Sequence, residues 1–299
     1  MFNPERFVPI AVEFIKEKVK ELERDGAVLG ISGGVDSAVV ASLAKKALGK
    51  RVLGLILPER DSSPESVEHA KLVAETFGIK TETFNLSPLL ETIGAYSLVP
   101  DVLHRKRKNA EKVIKISYSI LPPFLKPFSR GLLGVKEKLL RGPTAYYRIK
   151  HRLRMVILYF YAEKLNYAVL GTTNRTEELT GFFVKYGDSA TDIAPIACLY
   201  KTEVFELAKY LGVPSPILSK PPSPDLIPGI TDELAMGMKY ETIDKILMGF
   251  ELGLSEKEIA KRENISLRKV KEVKKMMENS YHMRRHLPLS LQRKEVINA

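Results

Sequence analysis

Apolar residues follow two alternating patterns along this chain, short continuous runs and longer stretches with helical spacing. The continuous runs predict strands at residues 27–31, 52–57, 81–86 and 167–170. The helical spacing predicts helices at residues 7–22, 37–48, 64–77, 155–165 and 201–211. Strands that alternate with helices favour a parallel sheet with helices on both faces. The predicted fold class is therefore a doubly wound, Rossmann-like α/β fold, in which ligands bind at the carboxyl ends of the strands.

The loop after the first predicted strand reads GISGGVDS, residues 30–37. Glycines let the backbone approach a ligand closely, and the free amides of a helix N-terminus suit phosphate groups. Asp36 beside phosphate would be repelled unless a cation lay between them, so we expect it to bind Mg²⁺. The residues predicted to hold phosphate are Gly30, Ser32, Gly33, Gly34, Asp36 and Ser37.

The same loop also satisfies the hydrolase pattern G-x-S-x-G, with Ser32 as the nucleophile. Such a serine requires a histidine partner, and none of the five histidines stands in a convincing partner motif. The nucleotide-binding patterns G-x-x-x-x-G-K-[ST] and G-x-G-x-x-G are absent. Phosphate binding is therefore the favoured interpretation of the loop, and hydrolysis is the alternative.

Several motifs, taken in order, carry a resemblance to a known family. SGGVDS resembles the pyrophosphate loop of the N-type ATP pyrophosphatases, which cleave ATP between its α and β phosphates. The motifs after the fourth predicted strand closely resemble ammonia-dependent NAD⁺ synthetases: GTTNRTEE at 171–178, GFFVKYGD at 181–188, DIAP at 192–195, LYKT at 199–202 and KPPS at 220–223. RIKHRLRM at 148–155 resembles the N-I-K-A-R-x-R-M segment of that family.

The resemblance implies a ligase that forms a C–N bond. Such an enzyme activates the nicotinate carboxylate of deamido-NAD⁺ with ATP and releases pyrophosphate, and ammonia then displaces AMP to give NAD⁺. The implied catalytic residues are Asp36, Glu177 and Lys201, of which Asp36 and Glu177 would bind Mg²⁺. A single domain over residues 1–299 and a homodimer, whose dinucleotide site draws on both subunits, are also expected.

The matching positions imply two groups of binding residues. Thr172, Lys201 and Ser223 would contact ATP together with the glycine loop. The residues expected to contact deamido-NAD⁺ are Arg152, Lys185, Asp192 and Arg284.

Three positions depart from the family's pattern. Ser189 replaces the first glycine of Y-G-D-G-G, and serine adopts a positive φ less readily than glycine, so a different loop shape is expected. Met283 replaces the histidine of the C-terminal H-K-R-x-x-P motif, and Arg148 replaces the asparagine of N-I-K-A-R. These changes leave activation by ATP intact and bear on the choice of acceptor.

The charge of the chain is uneven. The 299 residues carry a formal net charge of +11, and the stretch 97–147 holds eleven basic and only three acidic side chains. This stretch predicts an atypical basic insertion at about 101–147. A helical hairpin that covers the subunit or its partner is the simplest interpretation, and the alternatives are a lid over anionic substrates or a contact with nucleic acid or an anionic membrane.

The remaining features separate the competing functions. A helical C-terminal part is predicted at about 232–285, and residues 254–270 within it resemble a DNA-binding helix-turn-helix, which is one alternative function. A paralogue that amidates or thiolates another acceptor, such as RNA, is a second alternative.

Cys198 is the only cysteine and is predicted to be buried, so a disulfide and a cysteine-based glutaminase are not expected. Free ammonia, or ammonia from a separate glutaminase, and a cytoplasmic location are expected.

Overall fold

A computed structural model describes residues 2–99, 138–223 and 229–285 of the chain. Within them, four strands form a parallel sheet in the order β3-β2-β1-β4. The strands are β1 (Gly26–Gly30), β2 (Val52–Ile56), β3 (Lys80–Thr83) and β4 (Tyr167–Val169). Strands β1 and β2 are almost wholly apolar and buried, whereas β3 lies at one edge and is polar. The parallel sheet predicted from the alternating pattern is confirmed.

Helices connect these strands and continue beyond them. The helices of the sheet region are α1 (Pro4–Glu21), α2 (Val35–Leu48), α3 (Pro64–Phe77), α4 (Ser87–Thr92), α5 (Lys138–Leu165), α6 (Arg175–Thr180), α7 (Lys201–Tyr210) and α8 (Ser215–Ser219). The helices of the C-terminal part are α9 (Asp232–Met236), α10 (Tyr240–Glu251), α11 (Glu256–Arg262) and α12 (Leu267–Ser280).

Two apolar cores cover the two faces of the sheet. On one face, residues such as Ile15 of α1, Leu43 of α2 and Leu207 of α7 pack in one buried cluster with the strands. On the other face, Leu90 of α4 and Ile157 of α5 pack against alternate residues of the same strands. Because neighbouring residues of a strand point to opposite faces, continuous apolar strands are buried on both sides. The doubly wound α/β fold is therefore confirmed.

Helix α5 begins much earlier than the sequence predicts. The expected helix covered residues 155–165, whereas α5 starts at Lys138. Its first half is rich in Arg, Lys and Tyr and contains Pro143, so its apolar period is hidden, although Tyr146 and Lys150 are both buried there. The last ten residues of the basic stretch 97–147 thus belong to this helix, and residues 100–137 lie outside the described part of the chain.

The C-terminal helices have a core of their own. Ile243 of α10, Ile259 of α11 and Val270 of α12 are fully buried in one cluster, which also includes Leu179 of α6. The pair α11 and α12 thus packs its apolar sides onto the body of the protein. Among the helices that the structure describes, none is both long and apolar enough to cross a membrane.

Candidate active site

The glycine loop lies at the carboxyl end of β1 and leads into α2. Gly33 has a φ of 77°, and a Cβ there would lie 2.3 Å from the carbonyl oxygen of Ser66, so only glycine fits. The Ser37 hydroxyl accepts from the Ser32 amide at 3.2 Å and donates to the Gly34 carbonyl at 2.9 Å. These hydrogen bonds within the loop stabilise its conformation.

A cluster of one lysine and two carboxylates lies beside this loop. The ammonium group of Lys201 donates to Asp36 Oδ2 at 2.5 Å and to Glu177 Oε1 at 3.3 Å. The side chain of Lys201 is only 2% exposed, and those of Asp36 and Glu177 are below 20%. The three residues implied as catalytic therefore meet at one point, although they are far apart in the sequence.

Helix termini place the members of this cluster. Glu177 lies in the first turn of α6, where Asn174 caps the helix and also donates from Nδ2 to Asp36 Oδ1 at 3.0 Å. Lys201 is the first residue of α7. Asn174 is fully buried, so its amide is a fixed link between the glycine loop and α6.

Asp244 of α10 bonds to residues next to Glu177 and Lys201, and it is a site residue that the motifs in the sequence do not include. Its Oδ1 accepts from the Thr176 hydroxyl at 2.6 Å, and its Oδ2 accepts from the Thr202 amide at 2.9 Å. The Thr176 hydroxyl in turn accepts from the Lys201 amide at 2.9 Å. An aspartate on the apolar face of an amphipathic helix was the available signal, because a buried carboxylate requires partners.

The electrostatics of the cluster favour cations. Burial raises the pKa of Glu177, and burial likewise raises the pKa of Asp232 to about 6. Burial alone would lower the pKa of Lys201, but the Asp36 and Glu177 carboxylates outweigh it and raise the pKa well above its usual value. One lysine thus faces an excess of acidic groups.

The donor set is suited to a magnesium ion. Asp36 and Glu177 already converge on one cation, the Lys201 ammonium, and hard carboxylate oxygens are the ligands that Mg²⁺ prefers. Over the described ranges, no group of three or more potential His, Cys, Asp or Glu ligands occurs. An ion held by two carboxylates would therefore complete its shell with phosphate oxygens and water, as Mg²⁺ in nucleotide sites commonly does.

A cavity of about 370 Å³ opens next to the cluster, at the carboxyl ends of the strands. Its lining includes all but one of the residues predicted to bind ATP: Gly30, Ser32, Gly34, Asp36, Ser37, Thr172, Lys201 and Ser223. Gly33 shapes the turn behind it. Glu177 and Asp232 also line this cavity.

The residues expected to contact deamido-NAD⁺ are placed differently, since none of the four is among the described lining residues. Arg152 donates to the Lys185 carbonyl at 3.4 Å, and Lys185 itself donates to the His282 carbonyl. Asp192 accepts from the Val169 amide at 2.8 Å. Arg284 donates to the carbonyls of Leu179 and Met277, each at 2.8 Å. Within one subunit, Asp192 and Arg284 thus bond to backbone groups of neighbouring segments and stabilise the fold.

Basic side chains that were not predicted as ligands line the cavity instead. Arg148, His151 and Arg154 reach it from α5, and Lys220 reaches it from the loop after α8. Burial lowers the pKa of His151, against the opposing effect of the Asp188 carboxylate at 3.7 Å, and so favours the neutral imidazole. The signal in the sequence was the spacing of RIKHRLR, which places residues 148, 151 and 154 on one side of a helix.

The structure describes two further positions that the sequence singles out. Ser189 is not among the residues with a positive φ, and its hydroxyl donates to the Val184 carbonyl at 3.1 Å, so serine fits this loop without strain. Cys198 is exposed, and the prediction that it is buried was wrong. It lies in the turns before α7, where its apolar neighbours Ile196 and Leu199 take the buried positions.

A glycine-rich phosphate loop, together with acidic and basic groups at the carboxyl ends of a parallel sheet, defines a Rossmann-like nucleotide-binding protein of the ATP pyrophosphatase type. The family model described as NAD synthase matches residues 8–120 and 143–288. The chain therefore belongs to the NAD synthase family.

Similar proteins agree with this assignment. The NH(3)-dependent NAD(+) synthetase of Thermotoga neapolitana is 50% identical over 287 residues, which cover 94% of this chain and 95% of that protein. A solved structure of NMN synthetase from Francisella tularensis is 30% identical with a TM-score of 0.73, and covers 97% of this chain and 99% of that one. The NH3-dependent NAD synthetase from Campylobacter jejuni, solved with a nitrate ion, is 25% identical with a TM-score of 0.70, covering 97% and 100%.

Proposed function

We propose that this chain amidates deamido-NAD⁺ with ammonia, at the expense of ATP, to give NAD⁺, AMP and pyrophosphate. The observation that carries the proposal is the cluster of Lys201, Asp36 and Glu177 beside the glycine loop. That cluster gives phosphate groups both a cation and a magnesium site within one cavity. The 50% identity to a protein named NH(3)-dependent NAD(+) synthetase supports this choice of reaction.

In the first step, the activation of the carboxylate by ATP, each group of residues has its own role. The amides of the glycine loop and the Ser32 and Ser37 hydroxyls orient the phosphates of ATP. Lys201 neutralises charge that builds up on the leaving pyrophosphate. Asp36 and Glu177 would hold Mg²⁺, which neutralises phosphate charge when it is bound. Two anionic reactants meet here, so catalysis rests on positioning and on neutralising their charge.

Ammonia then attacks the activated carboxylate, and AMP leaves. We propose that ammonia is used free or is delivered by a separate glutaminase, because this chain spans 95% of a relative whose name specifies NH(3). A cytoplasmic location is part of the proposal, since a single cysteine in 299 residues is typical of proteins from reducing compartments.

One assay tests the proposed reaction. Purified protein with ATP, Mg²⁺, ammonium and deamido-NAD⁺ is expected to form NAD⁺ and AMP in equal amounts. Nicotinate mononucleotide is the informative competitor, because one similar structure is an NMN synthetase. Faster amidation of the mononucleotide would make it the preferred acceptor, and a protein that forms neither amide would point to an acceptor of another kind, such as RNA.

We also propose that the protein is a homodimer formed through α5. Val156 and Phe160 are 51% and 59% exposed, and with Arg152 they are spaced four residues apart on one stripe of this helix. Exposed apolar side chains in a row are typical of an interaction surface. Pairing of two such stripes would bring Arg152 near the other subunit, which agrees with a dinucleotide site built by both.

Phe160→Glu is expected to convert the dimer to a monomer, because two carboxylates would be forced into the apolar contact. Sedimentation velocity measures the change in mass. Ile10→Glu, which alters an apolar residue on α1 that is 67% exposed, is the control and should leave the dimer intact. A Phe160→Glu protein that remains dimeric would place the interface elsewhere.

A further inference from the structure

A second buried ionic network lies apart from the lysine–carboxylate cluster, and the steps described above do not use it. The Lys150 ammonium donates to Glu59 Oε1 at 2.9 Å and to Asp61 Oδ2 at 2.7 Å. The side chains of Lys150 and Glu59 are fully buried and that of Asp61 is 3% exposed. Lys150 comes from α5, and the two carboxylates come from the loop that follows β2.

Aromatic residues complete this network from two separate segments. The Tyr96 hydroxyl donates to Glu59 Oε2 at 3.2 Å, and the Tyr146 hydroxyl donates to Asp61. Tyr96 precedes residue 100 and Tyr146 follows residue 137, so the acidic pair binds both flanks of the long connection into α5. The start of α5 is thereby fixed to the end of β2.

The two segments that this network joins, α5 and the loop after β2, also line the cavity. Arg148 and His151, the neighbours of Lys150 on α5, line the cavity, while Lys150 points away from it into the network. Pro58 and Ser62, which flank Glu59 and Asp61, line it as well. The network therefore sets the distance between the β2 loop and the basic side chains of α5.

Stability alone does not account for such an arrangement. A buried ion pair adds little net stability over apolar residues of similar volume, because desolvation cancels most of the attraction. The directed hydrogen bonds among Lys150, Glu59 and Asp61 fix the relative positions of their segments, and apolar packing fixes such positions less sharply. A wall that must hold an anionic acceptor in register with ATP requires that fixed geometry.

We infer that Lys150, held by Glu59 and Asp61, is a positioning residue for the acceptor, a nicotinate dinucleotide or mononucleotide that binds against Arg148 and His151. This inference rests on the proposed function and assigns the acceptor to the α5 wall. The glycine loop, α6 and α7, which we assign to ATP, contribute none of the residues described in this network.

The experiment compares five proteins: the wild type, Lys150→Met, Lys150→Arg, the neutral triple variant Glu59→Gln/Asp61→Asn/Lys150→Met, and Lys164→Met as the control. Lys164 lies exposed on the same helix. The triple variant neutralises both carboxylates together with Lys150, so no buried carboxylate loses that cation. Arg60, which lies 3.2 Å from Asp61, is 32% exposed and stays in contact with water. The triple variant is therefore expected to fold even where Lys150→Met alone does not. The readouts are KM for deamido-NAD⁺, the Kd for ATP with Mg²⁺, and the melting temperature.

We expect the triple variant to melt near the wild type and bind ATP equally well, while kcat/KM for deamido-NAD⁺ falls by about 10- to 100-fold, mainly through KM. Lys150→Arg should lose less than either Lys150→Met variant, because it keeps a cation beside the two carboxylates. A triple variant with wild-type KM, or one that loses ATP affinity in parallel, would overturn the positioning role. Failure of the proposed function would show differently, as a wild-type protein that forms no NAD⁺.

Discussion

Asp36→Asn is expected to reduce AMP and NAD⁺ formation by about 1000-fold, since loss of a metal-binding carboxylate removes several kcal/mol of charge stabilisation. The fold should survive. Glu177 remains at 3.3 Å from the Lys201 ammonium, and an asparagine oxygen can still accept the hydrogen bond from Asn174. Steady-state rates at saturating ATP, with the melting temperature measured in parallel, separate a loss of activity from a loss of stability.

The control for this substitution is Glu75→Gln, which neutralises an exposed carboxylate on α3 away from the cavity. It should leave both the rate and the melting temperature unchanged. If the Asp36→Asn protein kept most of its activity over a range of Mg²⁺ concentrations, Asp36 would not be a metal ligand.

Lys201→Met is expected to lower the free energy of unfolding by about 3–5 kcal/mol, because removal of one partner leaves buried charge uncompensated. With no cation between them, either Asp36 and Glu177 would repel each other or Glu177, whose pKa burial already raises, would take up a proton. Added Mg²⁺ should recover part of the loss, because an ion that binds only the folded state stabilises it. Denaturant titrations with and without Mg²⁺ measure both quantities, and activity should be lost in either condition.

Lys209→Met, an exposed position on the same helix, serves as the comparison and should show the wild-type response to Mg²⁺. The decisive quantity is the difference between the two responses. If Mg²⁺ stabilised Lys201→Met no more than the wild type, the two carboxylates would not form a magnesium site.

Local patterns in the sequence were sufficient for the sheet and for the phosphate loop. β1, the glycine loop and α2 follow one another directly, and a buried strand next to a helix with an apolar face leaves few alternatives. The meeting of Asp36, Glu177 and Lys201 was inferred only by resemblance, because the residues come from three segments that the sheet brings together. Spacing along the chain carries no information on such a contact.

Other parts of the site could not be predicted, for physical reasons. Lys150 has the charge of a surface residue, and only the distant Glu59 and Asp61 make its burial possible. The first half of α5 was missed for the same reason, since its buried side consists of polar residues with partners elsewhere. The four residues assigned to deamido-NAD⁺ remain predictions, and a second subunit is where we expect their role to appear.

Strand β3 is an edge strand that is protected against pairing with strands of other molecules. It is four residues long, and Lys80 and Glu82 stand exposed on it at the edge of the sheet. Unpaired edge strands recruit strands from other molecules and so begin aggregation, and charges on the edge oppose this because they would lose their water. The exposed charges therefore oppose growth of the sheet at β3, which is consistent with the dimer through α5 that we proposed above.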